Sequence, residues 1–128
     1  MALACRVTAA GDGLTLLLPR MQAWQLLADV ANSGRLAAVF SQPRTHRSIQ
    51  VKAIDAFETV PEPEDGILVA RQRESATLAL AALGYDADFL RVMFDFAAGD
   101  LTAIQMGVDE IFDQSPGPRA GQRLEVGA

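Results

Sequence analysis

This 128-residue sequence predicts an α+β fold, mainly β: a curled antiparallel sheet with a few helices at its periphery. Two apolar, strand-length runs at residues 5–9 and 14–18 flank Gly11-Asp12-Gly13, whose residues tolerate the positive φ angles of a tight hairpin turn. From Ile49 onward apolar and polar residues alternate, the period-two signature of a half-buried antiparallel strand. Residues 20–34 and 64–83 carry helical spacing or helix start and stop signals.

In chain order, the hairpin of residues 5–18 comes first. Pro19 suits the first turn of a helix, where its missing N–H is no loss. Met21, Trp24, Ala28 and Ala31 then recur at helical spacing, with Leu27 beside them, and predict a stripe packed on the sheet. Gly34 is a natural left-handed cap for that helix. Arg20 would lie at its first turn, where the dipole and free N–H groups favour an anion that would offset the arginine's own charge. Residues 36–40 are apolar at consecutive positions, as in a strand covered on both faces.

A second strand is predicted from Arg47 to about Val60, with a bulge or bend near Ala53, because Ile49 and Val51 are odd-numbered while Ile54 and Ala56 are even. Pro61-Glu62-Pro63-Glu64-Asp65 breaks it and starts a helix of residues 64–83, ended by Gly84. The second half of this helix is apolar nearly all round, which predicts burial or a partner. Asp86 can cap a further helix through Phe96. Residues 101–112 read as a strand interrupted at Asp109-Glu110, and the tail, 114–128, reads as irregular because of its Pro and Gly content. The whole chain, 1–128, is expected to be one domain.

Composition narrows the function. Half the residues are hydrophobic and the net charge is −5, which argues against disorder and against nonspecific nucleic-acid binding. No apolar run approaches the roughly 20 residues of a membrane span, and no secretory signal opens the chain. A single cysteine, Cys5, cannot form an internal disulfide, which fits a reducing cytoplasm. Residues 1–52 hold six of the eleven basic residues but two of the sixteen acids, which predicts a localised basic pocket on an acidic protein.

That pocket is expected at the central hairpin, residues 39–52. Ile49 and Val51 fall on one strand face, and His46, Ser48, Gln50 and Lys52 on the other, beside Arg44 and Arg47. Such a surface suits an anionic, polar ligand, and it is equally what the solvated face of a half-buried sheet looks like. With one His and one Cys, a Cys/His zinc site is not expected. Neither Gly-x-x-x-x-Gly-Lys-Ser/Thr nor Gly-x-Gly-x-x-Gly occurs, so the familiar nucleotide cradles are missing. An arginine-rich polar patch on a small curled sheet suits a phosphate joined to a flat heteroaromatic group.

Several segments together resemble the pyridoxamine 5′-phosphate oxidase-like, FMN-binding split-barrel family, in its small, N-terminally short bacterial form. They are Leu14-Thr15-Leu16-Leu17-Leu18-Pro19-Arg20, Arg35-Leu36-Ala37-Ala38-Val39-Phe40-Ser41, Gln42-Pro43-Arg44-Thr45-His46-Arg47-Ser48-Ile49-Gln50-Val51-Lys52, and Phe112-Asp113-Gln114-Ser115-Pro116-Gly117-Pro118. The resemblance spans most of residues 10–122. It implies an antiparallel split β-barrel and a homodimer with FMN at the subunit interface. It also implies a phosphate near Arg20 and Arg47, with Thr45, His46, Ser48, Gln50 and Lys52 along the path to the ring. The family's oxidase proper grips its pyridoxal substrate with a C-terminal Arg/Trp/His segment that has no counterpart here, so that reaction is not expected. Three readings follow: an FMN-dependent oxidoreductase of unknown substrate; a non-catalytic split-barrel dimerisation or binding module with a degenerate flavin site; or an enzyme using another planar phosphate, such as a deazaflavin or haem-related compound.

Overall fold

The computed structural model describes residues 2–42, 45–86, 88–89, 100–118 and 120–124. In order these form β1 (Ala4–Val7), β2 (Gly13–Pro19), α1 (Trp24–Ser33), β3 (Leu36–Gln42), β4 (Arg47–Ala53), β5 (Phe57–Thr59), α2 (Asp65–Ala82), β6 (Leu101–Gly107), β7 (Glu110–Asp113) and β8 (Arg123–Leu124). The architecture is α+β, mainly β. Two four-stranded sheets have the orders β1-β2-β6-β5 and β3-β4-β7-β8. Every pairing is antiparallel, and the described strands close no barrel.

The first hairpin forms as its turn chemistry predicts. Cys5 lies opposite Leu16, and Gly11 sits at φ +75° with its N–H on the Thr8 carbonyl at 2.8 Å. Pro19, by contrast, ends β2 rather than starting a helix. It lies opposite Leu101, beyond the stretch of β2 that β1 covers, so its missing N–H breaks no ladder bond. The helix begins only at Trp24. Its buried stripe is Ala23, Leu27 and Val30, whereas Met21 and Trp24 are 79% and 65% exposed, which corrects the predicted Met/Trp stripe. Gly34 closes α1 as predicted, at φ +69° with its N–H on the Val30 carbonyl.

Alternating exposure along β3 shows that this strand is not covered on both faces. Leu36, Ala38 and Phe40 turn inward, and Ala37 and Val39 turn outward. β3 is an outer strand of its sheet, so consecutive apolar residues there do not signify double burial. The parity slip near Ala53 marks a larger event than a bulge: the chain leaves the second sheet after β4, bends through residues 54–56 and enters the first as β5. The break in residues 101–112 falls at Val108-Asp109 and carries the chain back from β6 to β7.

α2 matches its predicted span, yet only Asp65 and Val69 are buried along it. Leu78 is 66% exposed and Ala76, Leu80 and Ala81 are half-buried, so among the described residues the helix's apolar second half is only partly covered. Asp86 accepts the Phe89 N–H at 3.0 Å, while residues 87 and 90–96 of the predicted third helix lie outside the described residues. The tail is less irregular than predicted, since β8 pairs with β7. No helix among the described residues is long and apolar enough to cross a membrane.

Both faces of the first sheet are covered. Leu16, Leu18, Ile104 and Met106 pack against Val51 and Ala53 of the second sheet and against α1. On the other face, Ala4, Leu17 and Ala103 meet Val69 of α2. The second sheet uses one face for this core, and its other face is open among the described residues.

Candidate functional site

The open face of the second sheet carries three of the seven predicted ligand residues, Ser48, Gln50 and Lys52. Strand register sets their neighbours, because residues directly opposite in antiparallel strands share a face. Ser41 lies opposite Ser48. Val39, Gln50, Phe112 and Arg123 form a second row, and Ala37, Lys52 and Glu110 a third. Ile49, Val51 and Ala53 alternate inward and anchor β4 in the core. Hydrophobic burial of the odd positions therefore aims Ser48, Gln50 and Lys52 outward together.

On this face the Ser41 and Ser48 hydroxyls are 3.0 Å apart. Gln114 Nε2 reaches Gln50 Oε1 at 3.5 Å. Lys52 Nζ lies 4.9 Å from the centroid of the Phe112 ring, within cation–π range. Among the described residues Lys52 has no carboxylate partner. The neighbouring Glu110 lies 3.6 Å from Arg123 instead. Ser48 is fixed from behind: its N–H donates to Ser115 Oγ at 2.9 Å and its carbonyl accepts the Gln114 N–H at 2.8 Å.

At the hairpin end the positions differ from the sequence pattern. His46 is a turn residue at φ +55°, so it does not continue the strand alternation and is not on the face of Ser48 by periodicity. Thr45 binds the Gln42 side chain at 3.1 Å and accepts the Arg47 N–H at 3.3 Å. Arg47, the first residue of β4, is exposed and alternates toward the side of Ile49. Arg44 lies outside the described residues.

Arg20 belongs to the other sheet. It follows β2 rather than opening α1, and its N–H donates to the Asp100 carbonyl at 2.7 Å. Its guanidinium grips Glu58 with bonds of 3.0 and 3.3 Å, and the Thr102 hydroxyl donates to the same carboxylate. Those bonds, Arg20's first and Thr102's second, hold the Glu58 carboxyl below its ordinary value. Arg20 thus has its counter-charge within the fold, and the structure does not join it to the row containing Lys52.

Phe112, Ser41, Gln114 and Arg123 are neighbours of this face that hairpin periodicity could not supply. Phe112 was visible only as an aromatic residue on a later strand, and the β4–β7 register that sets it beside Gln50 is not local information. The face offers hydroxyl, amide and ammonium groups plus an aromatic ring. It can hold a polar anion with a flat apolar part. Among the described residues no cluster of three or more His, Cys, Asp or Glu side chains could hold a metal ion. Comparisons with protein-family models, curated proteins and solved structures give no match.

Proposed function

We propose that this chain is a small FMN-binding protein of split-barrel type that works as a homodimer, with an oxidoreductase role. One observation carries the reading: Lys52, without a carboxylate partner among the described residues, stands over Phe112 in register with Ala37 and Glu110, next to the row of Gln50. An exposed cation beside an amide, two hydroxyls and an aromatic ring matches the mixed demands of a phosphate and a flavin ring. The two antiparallel sheets would be the halves of the split barrel, and a second copy would cover the open face.

The donor set fits such a group. Lys52 would meet the phosphate on the open face, and Ser48 and Gln50 would bond the polar edge of the ring. Arg47, at the other end of β4 and turned toward the side of Ile49, would reach the group only across the dimer interface, with Thr45 and His46 beside it at the hairpin end. Arg20, being engaged by Glu58, reaches a phosphate only if that pair opens or the partner subunit brings one to it. Bound flavin would supply the electron exchange. The chain supplies position, and the carbon-rich faces of Val39 and Phe112 would exclude water from one side of the ring.

Titrating the purified protein with FMN, followed by quenching of flavin fluorescence, tests the reading. Saturable binding at about micromolar Kd or tighter is expected. Arg47→Ala with Lys52→Ala should weaken it at least tenfold with an unchanged circular dichroism spectrum. Unchanged affinity in that double variant removes the two cations from the site. A protein that ignores FMN altogether favours the non-catalytic binding module.

A further inference from the structure

A second feature lies along the outer edge of β3, between the two sheets. Among the described residues β1 and β3 are each the outermost strand of their sheet, and both border one cleft of about 560 Å³. Leu16, Leu18, Leu26 and Phe40 line it, together with Cys5. We propose that this cleft docks an extended, uncharged strand from another polypeptide, which pairs with β1 on one side and β3 on the other.

Charge selects the occupant first. The protein carries a net charge of −5, yet among the described residues no charged side chain lines the cleft, and the polar members are Cys5, Ser41 and Gln72. A neutral guest avoids desolvating an unpaired ion there. Edge design is the second argument. Free edges are normally blunted by charge, proline, bulges or shortness. β3 runs seven residues, Leu36–Gln42, without a charged residue or a proline. Arg6, the one charge on β1, turns to the other face and binds Asp65 at 2.8 Å.

Hydrogen bonding then separates a strand from other guests. A small apolar molecule fills the volume but leaves the N–H and C=O groups of two edges unpaired in an apolar setting. A strand satisfies both edges. A second folded copy presents a strand already paired on one side, so it can cover one edge and not bridge two. The guest is therefore a lone segment.

Main-chain bonds dominate strand addition, so a generic strand former serves as the probe. We would use a capped peptide of alternating valine and threonine, as long as β3, and two analogues N-methylated at the amides facing one edge or the other. Cys5 is the chain's one cysteine, so its alkylation by iodoacetamide reports on the cleft. Burial raises its pKa, so alkaline buffer is suitable. The parent peptide should bind saturably and slow alkylation at least tenfold, and each methylated analogue should bind at least tenfold more weakly. Absence of binding and protection overturns the proposal. Undiminished binding by both analogues makes the cleft an apolar pocket, and sensitivity to one methylation pattern alone makes it a single-edge site. Protection of Cys5 that rises with protein concentration and ignores peptide assigns the cleft to a second copy. Each of these outcomes also overturns the bridging strand.

Discussion

Asp65 is the buried charged side chain among the described residues, at 2% exposure. Burial pushes its carboxyl pKa up, but Arg6 donates two bonds, at 2.8 and 3.2 Å, and the Glu62 N–H a third, at 2.7 Å. The bonds prevail and hold it below the ordinary value of 3.8. A depressed carboxyl favours the folded state above its unfolded pKa, and that contribution disappears as pH falls through the folded pKa. Asp65→Asn should therefore lose about 3 kcal/mol at pH 7 in urea unfolding, since it strips a partly buried guanidinium of its charge partner. The gap between variant and parent should close as the pH is lowered below about 4. A gap independent of pH would mean that shape, not charge, makes Asp65 necessary. The sequence marked Asp65 only as an acid in a helix's first turn. Its pairing with Arg6, fifty-nine positions away, depends on where β1 lies against α2.

Gly34 illustrates the element scale, because it both ends α1 and sets the path into β3. Its φ of +69° is unfavourable for any residue with a Cβ, by roughly 1–2 kcal/mol. A Cβ there would also stand 2.7 Å from the Ile54 carbonyl oxygen, at the bend where the chain changes sheets. Gly11 shares the positive φ, but an added Cβ meets nothing within 4 Å. Thermal unfolding of the two alanine variants should separate these effects, Gly11→Ala costing about 1 kcal/mol and Gly34→Ala at least about 2. Equal losses would show that the chain yields freely around Ile54. Helix ends of this kind were legible because a left-handed glycine is a local requirement. The buried stripe of α1 was not: residues 21–31 offer Met21/Trp24/Ala28/Ala31 as readily as Ala23/Leu27/Val30, and only the sheet beneath decides between them.

Across the whole molecule, the first sheet is the middle layer, with a core on each side. Leu17 faces α2 and Ile104 faces the second sheet, both fully buried. Truncating either to alanine should cost about 3 kcal/mol in chemical denaturation. Hydrogen exchange should distinguish the two. Leu17→Ala should raise exchange most in the first turns of α2, around Val69, and Ile104→Ala across β4 and β6. Identical exchange maps would contradict two separable cores.

The amino-acid order by itself determined the first hairpin and its turn, the span of α2, the glycine stops, and the outward set Ser48, Gln50 and Lys52. Those properties depend on backbone preference and side-chain periodicity within a few residues of one another. Tertiary structure alone decided that the chain changes sheets at residues 54–56 and 108–109, that Arg20 is bound by Glu58 while Lys52 has no carboxylate partner among the described residues, and that β1 and β3 flank one cleft. Each of these follows from strand register between distant segments, where burial of a whole face outweighs any local preference.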